Sequence, residues 1–499
     1  MMRMRFHILG RKTRTSGFLL ALALLVGAQL HAERPNFVFF IADDVSQEDF
    51  GCYGHPTIQT PQIDALADAG MRFDNAYLTI SSCSPSRCSI ITGRYPHNSG
   101  APELHVRLPD EQVRFPELLR QAGYYTVLAG KNHMFGSEDR AFDAILTKGK
   151  PSGSEDWLDV VHERPKDAPF FFWFASNDAH RNWQFTEHAP RYDLEGIVVP
   201  PYLFDSKVTR DDLASYYHEV SRFDYYVGQV VNALHEQGVL DNTVIVVAAD
   251  NGRPFPRCKS RLYDSGIKTP WVVHYPKLLQ GGATTESFIS SIDLSATCLE
   301  LAGVEVPDCI QGQSFVPILQ DADATVREVL FAEQNWHVYS NHSRLVRMGD
   351  FAYIQNSYPD QMNLSYESDT SFPAGNELWK AQAAGQTNAA QQQIFRTPSP
   401  LMELYDLSKD PDQLVNLAAN PEYASVLEQG RALLARWSEQ TGDTLPDNPT
   451  PHRHAPPRIE AGVIQPKGKV TGSHNPHAEL PGASRNAEAI HHPGPIKVH

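Results

Sequence analysis

Four polar clusters and one cysteine motif hold the side chains of this 499-residue sequence that could do chemistry together. Asp43-Asp44 follows the apolar run Asn36–Ala42, Lys131 and His133 follow Tyr124–Ala129, His180 follows Phe170–Ala175, and Asp250-Asn251 follows Thr243–Ala249. Singly, each has a plain explanation, because loop carboxylates cap helices and loop lysines and histidines are mostly solvated. Their shared position changes the weight. In open α/β sheets ligands sit beyond the carboxyl ends of the strands, so four such clusters face one crevice. Asp43, Asp44, Asp250 and Asn251 offer hard oxygen donors alone, which suit Ca2+ or Mg2+ and not zinc. The fifth feature is Cys83-Ser84-Pro85-Ser86-Arg87, with Thr92-Gly93 behind it, at the start of a helix. A thiol near a helix N-terminus beside Arg87 is expected to have a lowered pKa and to be a nucleophile.

The elements that must position these groups alternate β-rich apolar runs with helical patterns, the grammar of parallel βαβ units. Thr60-Pro61 starts a helix through Ala69, with Thr60 as N-cap, Pro61 in the first turn and Gly70 at the stop. Pro116-Glu117 opens another, which Gly123 closes, and a long amphipathic helix covers Arg210–Gln237. Beyond about residue 325, the runs Val326–Gln334, Ser343–Asn356 and Met402–Asp410 read as shorter antiparallel strands, followed by a helix across Pro421–Thr441. The expected organisation is an α/β catalytic domain over 33–325 and a smaller α+β domain over 326–445. From Pro446 to His499 come ten prolines and seven of the 21 histidines, a composition expected to stay extended or disordered, with a fold back across the main domain as the alternative.

The cysteine motif resembles the type I sulfatase signature, Cys-x-Pro-Ser/Ala-Arg with Thr-Gly five residues after the Arg, which directs oxidation of the cysteine to formylglycine. Cys88, five positions on, lacks the following Pro and Arg, so Cys83 is the expected modified residue. Gly130-Lys131-Asn132-His133 is similar to the family's Gly-Lys-x-His element, and Asp250-Asn251-Gly252 to its metal-binding element. Asn177-Asp178-Ala179-His180 stands where the family's sulfate-contacting His occurs, with Ala179 in place of the usual Pro. Lys259, four residues before Tyr263, matches the second catalytic Lys, and Lys268 reads as structural. Glu403–Leu407 with Asp410-Pro411 and Asn416-Leu417 resembles the C-terminal signature, so the likeness runs from about Arg34 to Thr441.

The resemblance implies an alkaline-phosphatase-like fold: a large mixed, mostly parallel sheet sandwiched by helices, with a smaller C-terminal α+β domain. It implies Ca2+, or Mg2+, held by Asp43, Asp44, the modified Cys83, Asp250 and Asn251. It gives catalytic roles to Cys83, Arg87, Lys131, His133, His180 and Lys259, with His180, Arg181 and Lys259 on the substrate. His180 and Lys259 would bind the sulfate and protonate the leaving group, and His133 would take the proton of the second hydroxyl. A formylglycine-generating maturation enzyme is the implied partner. An unmodified cysteine nucleophile is the competing account, although a hard cation suits an aldehyde hydrate better than a thiolate.

Within the family, Ser81–Arg87, Asp178–Arg181 and Asp250–Pro256 resemble the heparan N-sulfatase, or sulfamidase, branch, except that Lys259 stands where that branch has Arg. The implied substrate is N-sulfoglucosamine of heparin or heparan type. The alternative is O-desulfation of another polysaccharide such as an algal glycan. A phosphonate or phosphate ester hydrolase and a catalytically dead glycan-binding protein follow behind.

Arg3, Arg5, Arg11, Lys12 and Arg14 ahead of the apolar run Phe18–Ala28 read as a signal peptide over residues 1–32, too short to span a membrane. No Cys follows Ala28 or Ala32, so an exported chain, periplasmic or secreted and without a membrane anchor, is expected. The net charge is −16, and loss of that segment's five basic residues makes it −21, which excludes nucleic acid as the main partner. Six cysteines do not make a disulfide scaffold; Cys298 and Cys309 could pair, while Cys52, Cys88 and Cys258 read as structural thiols. With the basic groups gathered at the site and the acidity elsewhere, a pocket for one terminal sugar is favoured over a groove for a whole polyanion.

Overall fold

Continuous apolar runs become the centre of an eight-stranded sheet in the order β5-β4-β6-β1-β7-β8-β2-β9. The strands are β1 (Asn36–Ala42), β2 (Met71–Phe73), β4 (Tyr125–Gly130), β5 (Ala144–Leu146), β6 (Phe170–Ala175), β7 (Thr243–Ala249), β8 (Trp271–His274) and β9 (Ala283–Thr285). β3 (Ala76–Tyr77) and β10 (Ile289–Ser290) form a separate short parallel pair. β1 runs parallel to both β6 and β7, and β8 alone is reversed against its neighbours. This computed structural model describes residues 34–136, 138–470 and 477–482. The signal-peptide segment and residues 483–499 lie outside the described residues.

Both faces of the sheet are covered, which is why β1, β6 and β7 are apolar at almost every position rather than alternating. Val38 and Phe40 pack with Trp157, Leu213 and Val220 on one face, and Phe37, Phe39 and Ile41 with Ile90, Leu119 and Leu294 on the other. The long helix runs over Lys207–Glu236, three residues earlier than its apolar pattern predicts, because Ser206 Oγ caps it by accepting from Thr209 N at 3.2 Å. The Pro61–Ala69 helix forms as expected, but Thr60 does not cap it. Its hydroxyl instead accepts from Gly51 N at 2.8 Å and donates to Asp64 Oδ1 at 3.0 Å.

The smaller sheet is antiparallel in the order β11 (Val329–Gln334), β12 (Ser343–Met348), β13 (Phe351–Asn356) and β14 (Met402–Asp406). The Ala424–Thr441 helix covers one face through Leu434 and Trp437. β11 also bridges to the large unit, where Glu333 N donates to Thr79 O at 2.7 Å, four residues before Cys83. All six cysteines are free thiols. The pairing considered for Cys298 and Cys309 is absent, and both thiols pack on the same apolar cluster.

Residues 446–470 take the extended one of the states expected for them and lie against the body of the protein. They run extended as the short strands β15 (His454–Ala455), β16 (Arg458–Glu460), β17 (Val463–Gln465) and β18 (Gly468–Lys469), paired as β15–β18 and β16–β17. This strap is hydrogen-bonded to the body: Trp336 Nε1 donates to Pro451 O at 2.8 Å, Arg453 N to Val338 O at 2.7 Å and Thr450 Oγ1 to Glu103 Oε2 at 2.6 Å. Ile459 and Ile464 add packing against the cluster of Val338, Leu378 and Trp379, but the strap has no apolar periodicity for a sequence reading to detect.

Burial pushes Glu103 up to about 7, opposed only by the Thr450 hydrogen bond. The folded protein thus holds this proton more tightly than the unfolded chain, and stability from Glu103 is lost as pH rises from about 4.5 through about 7. Glu103→Gln, which stays neutral and can still accept from Thr450, should flatten that part of the pH dependence of the thermal midpoint; an unchanged pH profile would show that Glu103 does not titrate in this range.

Candidate active site

Cys83 begins the helix Cys83–Thr92, which is buried at all ten positions. Hydroxyls make that burial tolerable: Ser84 Oγ accepts from His105 N at 2.8 Å, Ser89 Oγ meets Thr79 Oγ1 at 2.6 Å, and Thr92 Oγ1 donates to Cys88 O at 2.7 Å. Gly93 ends the helix in the left-handed region at φ 65°, where an added Cβ would lie 2.2 Å from Ser295 Oγ. The Thr92-Gly93 pair therefore has a structural role whatever else reads it. Ser82 does not cap the helix, because its Oγ faces His337 Nδ1 at 2.6 Å.

The loops beyond the strands are laced in register. Ser176 N donates to Ile41 O at 2.9 Å, Asp250 N to Ala42 O at 3.1 Å, Lys131 N to Ala175 O at 2.8 Å and Asp43 N to Asp178 O at 2.7 Å. These bonds continue the β-ladders into the site and bring the four polar clusters to one place. Gly130 permits the turn after β4: its φ is 98°, and a Cβ there would sit 1.9 Å from Ala175 O. Asp44 (φ 64°) and His133 (φ 62°) also adopt the left-handed region, a strain that recurs at functional sites.

Around Cys83 three buried carboxylates meet three cations. Arg87 pairs with Asp250 through Nε at 2.9 Å and Nη2 at 2.8 Å, and its Nη1 donates to Lys131 O at 3.0 Å. Lys131 pairs with Asp43, and Lys259 with Asp44 at 2.6 Å. Cys83 Sγ lies 4.0 Å from Asp43 Oδ1 and 3.7 Å from Asp44 Oδ1. The expected low thiol pKa is overturned. Burial pushes Cys83 up to about 12, against the pull of Lys131 and Lys259, and Arg87 is already engaged by Asp250. As a thiol this residue is inert at neutral pH.

The donor set fits a hard cation. Asp43, Asp44 and Cys83 bring ligand atoms within 4.8 Å of one another, and Asp250 Oδ1 flanks them, accepting from Asp44 N at 3.2 Å. Asn251 Nδ2 donates to Asp44 Oδ1 at 2.6 Å, while Asn251 Oδ1 is buried with no hydrogen-bond partner. A dication would satisfy that oxygen, and only the sulfur of Cys83 is ill-matched to it. Because the six side chains are neutral in sum, a dication would leave the site at +2, suited to an incoming sulfate.

A cavity of about 530 Å³ opens over this cluster, with Asp44, Cys83, Lys131, His133, His180 and Lys259 in its lining. Asp43, Arg87, Asp250 and Asn251 are buried and absent from that lining. Burial, together with Lys131 and Arg87, drives His133 far below the usual histidine range, and its Nδ1 has no hydrogen-bond partner. His180, exposed at the mouth of the cavity, is lowered from the usual histidine range by desolvation and by the nearby Lys259 and Lys131. Its Nδ1 lies 2.5 Å from Arg181 O, which can only accept, so the proton is on Nδ1 and Nε2 carries the lone pair. In this state Nε2 of His180 accepts hydrogen bonds, and the residue lines the cavity beside Cys83, Lys131 and Lys259. Arg181 lines the cavity as expected, and Asp212 holds its guanidinium at 2.6 and 2.9 Å against the Trp183 and Phe255 rings. Like Lys131 and Lys259, it is paired with a carboxylate while facing the pocket.

Further lining residues had no motif to announce them: His105, His337, Tyr366, Glu367, Phe372 and Arg453. Only His337 had a readable signal, a polar residue just past the apolar run of β11. The others arrive through long-range packing of loops and of the strap.

A sulfatase family model matches residues 35–304, and a model described as N-sulphoglucosamine sulphohydrolase, C-terminal, matches residues 258–358. An ulvan-active sulfatase of Formosa agariphila is 29% identical over 91% of this chain and 89% of its own length. The human N-sulphoglucosamine sulphohydrolase is 30% identical over 84% of this chain and 93% of its own. Among solved structures, one described as in complex with its substrate D-glucosamine-2-N,6-O-disulfate superposes with a TM-score of 0.65 at 22% identity, covering 82% of this chain and 98% of that one. The shared architecture is the alkaline-phosphatase-like large sheet with its smaller C-terminal sheet.

Calcium added to the metal-free protein should raise its thermal midpoint in a concentration-dependent way, as any ligand of the native state does. Asn251→Leu and Asp44→Asn should each weaken that response; an undiminished rise in both variants would place the ion elsewhere.

Proposed function

The chain belongs to the sulfatase family, and on that premise we propose that it is an exported hydrolase removing sulfate from a terminal sugar of a sulfated saccharide. The observation that carries this reading is the motif cysteine at the base of a pocket, enclosed by three carboxylates and three cations. The family generally uses Ca2+ and formylglycine. Here Asp43, Asp44, Asp250 and Asn251 would hold the cation, which supplies Lewis acidity toward an oxygen nucleophile and the sulfate. Conversion of Cys83 by a formylglycine-generating enzyme would replace an inert thiol with an oxygen-bearing group matched to that cation. Export is supported by the composition of residues 1–32.

The remaining work falls to side chains already in position. Arg87 stays fixed by Asp250 and so orients the residue one turn back on its helix. Lys131 and Lys259 keep their positive charge, because Asp43 and Asp44 beside them outweigh burial, and present it where sulfate charge develops. His133, neutral and with a free ring nitrogen, is suited to accept the proton that releases sulfate. His180 starts neutral, so a sulfate's negative charge beside it must first raise its pKa before it can pass a proton to the leaving oxygen or nitrogen. An amine leaves poorly unprotonated, so an N-sulfo substrate depends on this step more than an O-sulfo one.

The match to the N-sulphoglucosamine sulphohydrolase C-terminal model over 258–358, which spans Lys259 and His337, supports N-sulfoglucosamine as the terminal sugar. The ulvan-active relatives support an O-sulfated sugar of another polysaccharide. A cavity of about 530 Å³ is of small-ligand size, which favours action on a chain end.

Sulfate release should be measured on N-sulfoglucosamine, on O-sulfated mono- and disaccharides, and on matched phosphate esters. Release from at least one sugar, abolished by Cys83→Ala with the far-ultraviolet spectrum unchanged, is expected. Substantial turnover by Cys83→Ala would remove formylglycine from the account, and faster phosphate than sulfate release would move the enzyme to another reaction.

A further inference from the structure

The strap over residues 449–454 does more than cover the body of the protein. Arg453 lines the same cavity as Cys83, Lys131 and Lys259, although it lies far beyond the catalytic strands and beyond the part of the chain that matches the family models. It is held in place through its backbone: Arg453 N donates to Val338 O at 2.7 Å, with Trp336 Nε1 bonded to Pro451 O at 2.8 Å and Ser340 N to His452 Nδ1 at 2.8 Å on either side. The three bonds bracket Val338, a pocket-lining residue whose φ of 119° is a conformation a β-branched side chain rarely adopts. Such strain persists only where surroundings over-determine it, and it gathers at ligand sites. The strap is therefore part of what shapes this wall.

The charge of Arg453 distinguishes it from the other cationic lysines and arginines of the lining. Lys131 is paired with Asp43, Lys259 with Asp44 and Arg181 with Asp212. Among the described residues no carboxylate pairs with Arg453; its guanidinium lies over the Trp336 ring at 5.0 Å. Stacking on an aromatic face orients the planar group and leaves its N–H edge for a planar or tetrahedral oxyanion, the recognition arginine performs best. We propose that Arg453 binds a second anionic group of the substrate, so that the preferred saccharide carries another negative charge besides the sulfate removed at Cys83. This rests on the reading of the cavity as a sulfated-saccharide site and adds to it a specificity residue supplied by the strap. The second anion is another sulfate on the same sugar or a uronate carboxylate on its neighbour.

The test compares matured wild-type enzyme with Arg453→Ala and Arg453→Lys on three probes: N-sulfoglucosamine, glucosamine-2-N,6-O-disulfate, and a singly sulfated disaccharide bearing a uronic acid. The ratio of kcat/KM for a doubly charged probe to that for the singly charged one should fall roughly tenfold in Arg453→Ala, the loss of about one charge-assisted hydrogen bond, and should be partly restored in Arg453→Lys. A fall confined to the disulfate identifies the second anion as sulfate; one confined to the uronate probe identifies it as carboxylate. An equal loss on all three probes would mean that Arg453 only holds the strap, and no change in the ratio would likewise overturn the proposal. Wild-type enzyme that releases sulfate from none of the probes would overturn the N-sulfoglucosamine reading, and this inference with it.

Discussion

Burying six charged side chains around one sulfur is the constraint on which the rest of this structure depends. Taking an ion out of water costs several kcal/mol unless a partner of opposite charge meets it with good geometry. Arg87–Asp250, Lys131–Asp43 and Lys259–Asp44 meet that demand, and each pair joins side chains far apart in sequence. The pairs can form only if β1, β4 and β7 and the Cys83 helix end at one level. The register bonds that carry the ladders past the strand ends, the glycine at 130 and the left-handed Asp44 and His133 all serve that alignment.

The same burial decides what Cys83 is for. A thiol pushed up to about 12 beside three carboxylates is neither a nucleophile nor a good ligand for the hard cation its neighbours suit. The surroundings are thus built for something other than the residue the gene encodes. That mismatch, more than any one contact, explains why a cysteine motif and an oxygen-donor cluster occur together.

The framework was legible where chemistry and periodicity coincide. Asp43, Lys131, His180 and Asp250 each follow an unmistakable buried strand, and the rule that ligands sit at carboxyl ends joins them in the sequence itself. Composition misled where tertiary context wins. Arg87 beside Cys83 suggested a reactive thiol, but desolvation outweighs the cations and Asp250 takes up the Arg87 charge. Arg181 stood next to His180 in a motif and does line the cavity, but its partner Asp212, thirty-one residues on, could not be read from the motif. The proline-rich segment after 446 read as extended or disordered because it lacks apolar periodicity; hydrogen bonds to Trp336, Val338 and Glu103 and the packing of Ile459 and Ile464 hold it, and no local pattern encodes those. Arg453 was invisible for the same reason.

Mass spectrometry of the Cys83 peptide, from protein produced together with a formylglycine-generating enzyme, tests the central claim most directly. The account predicts the aldehyde at position 83, with Cys88 left as a thiol. An unmodified thiol at position 83 in protein that nevertheless releases sulfate would contradict it.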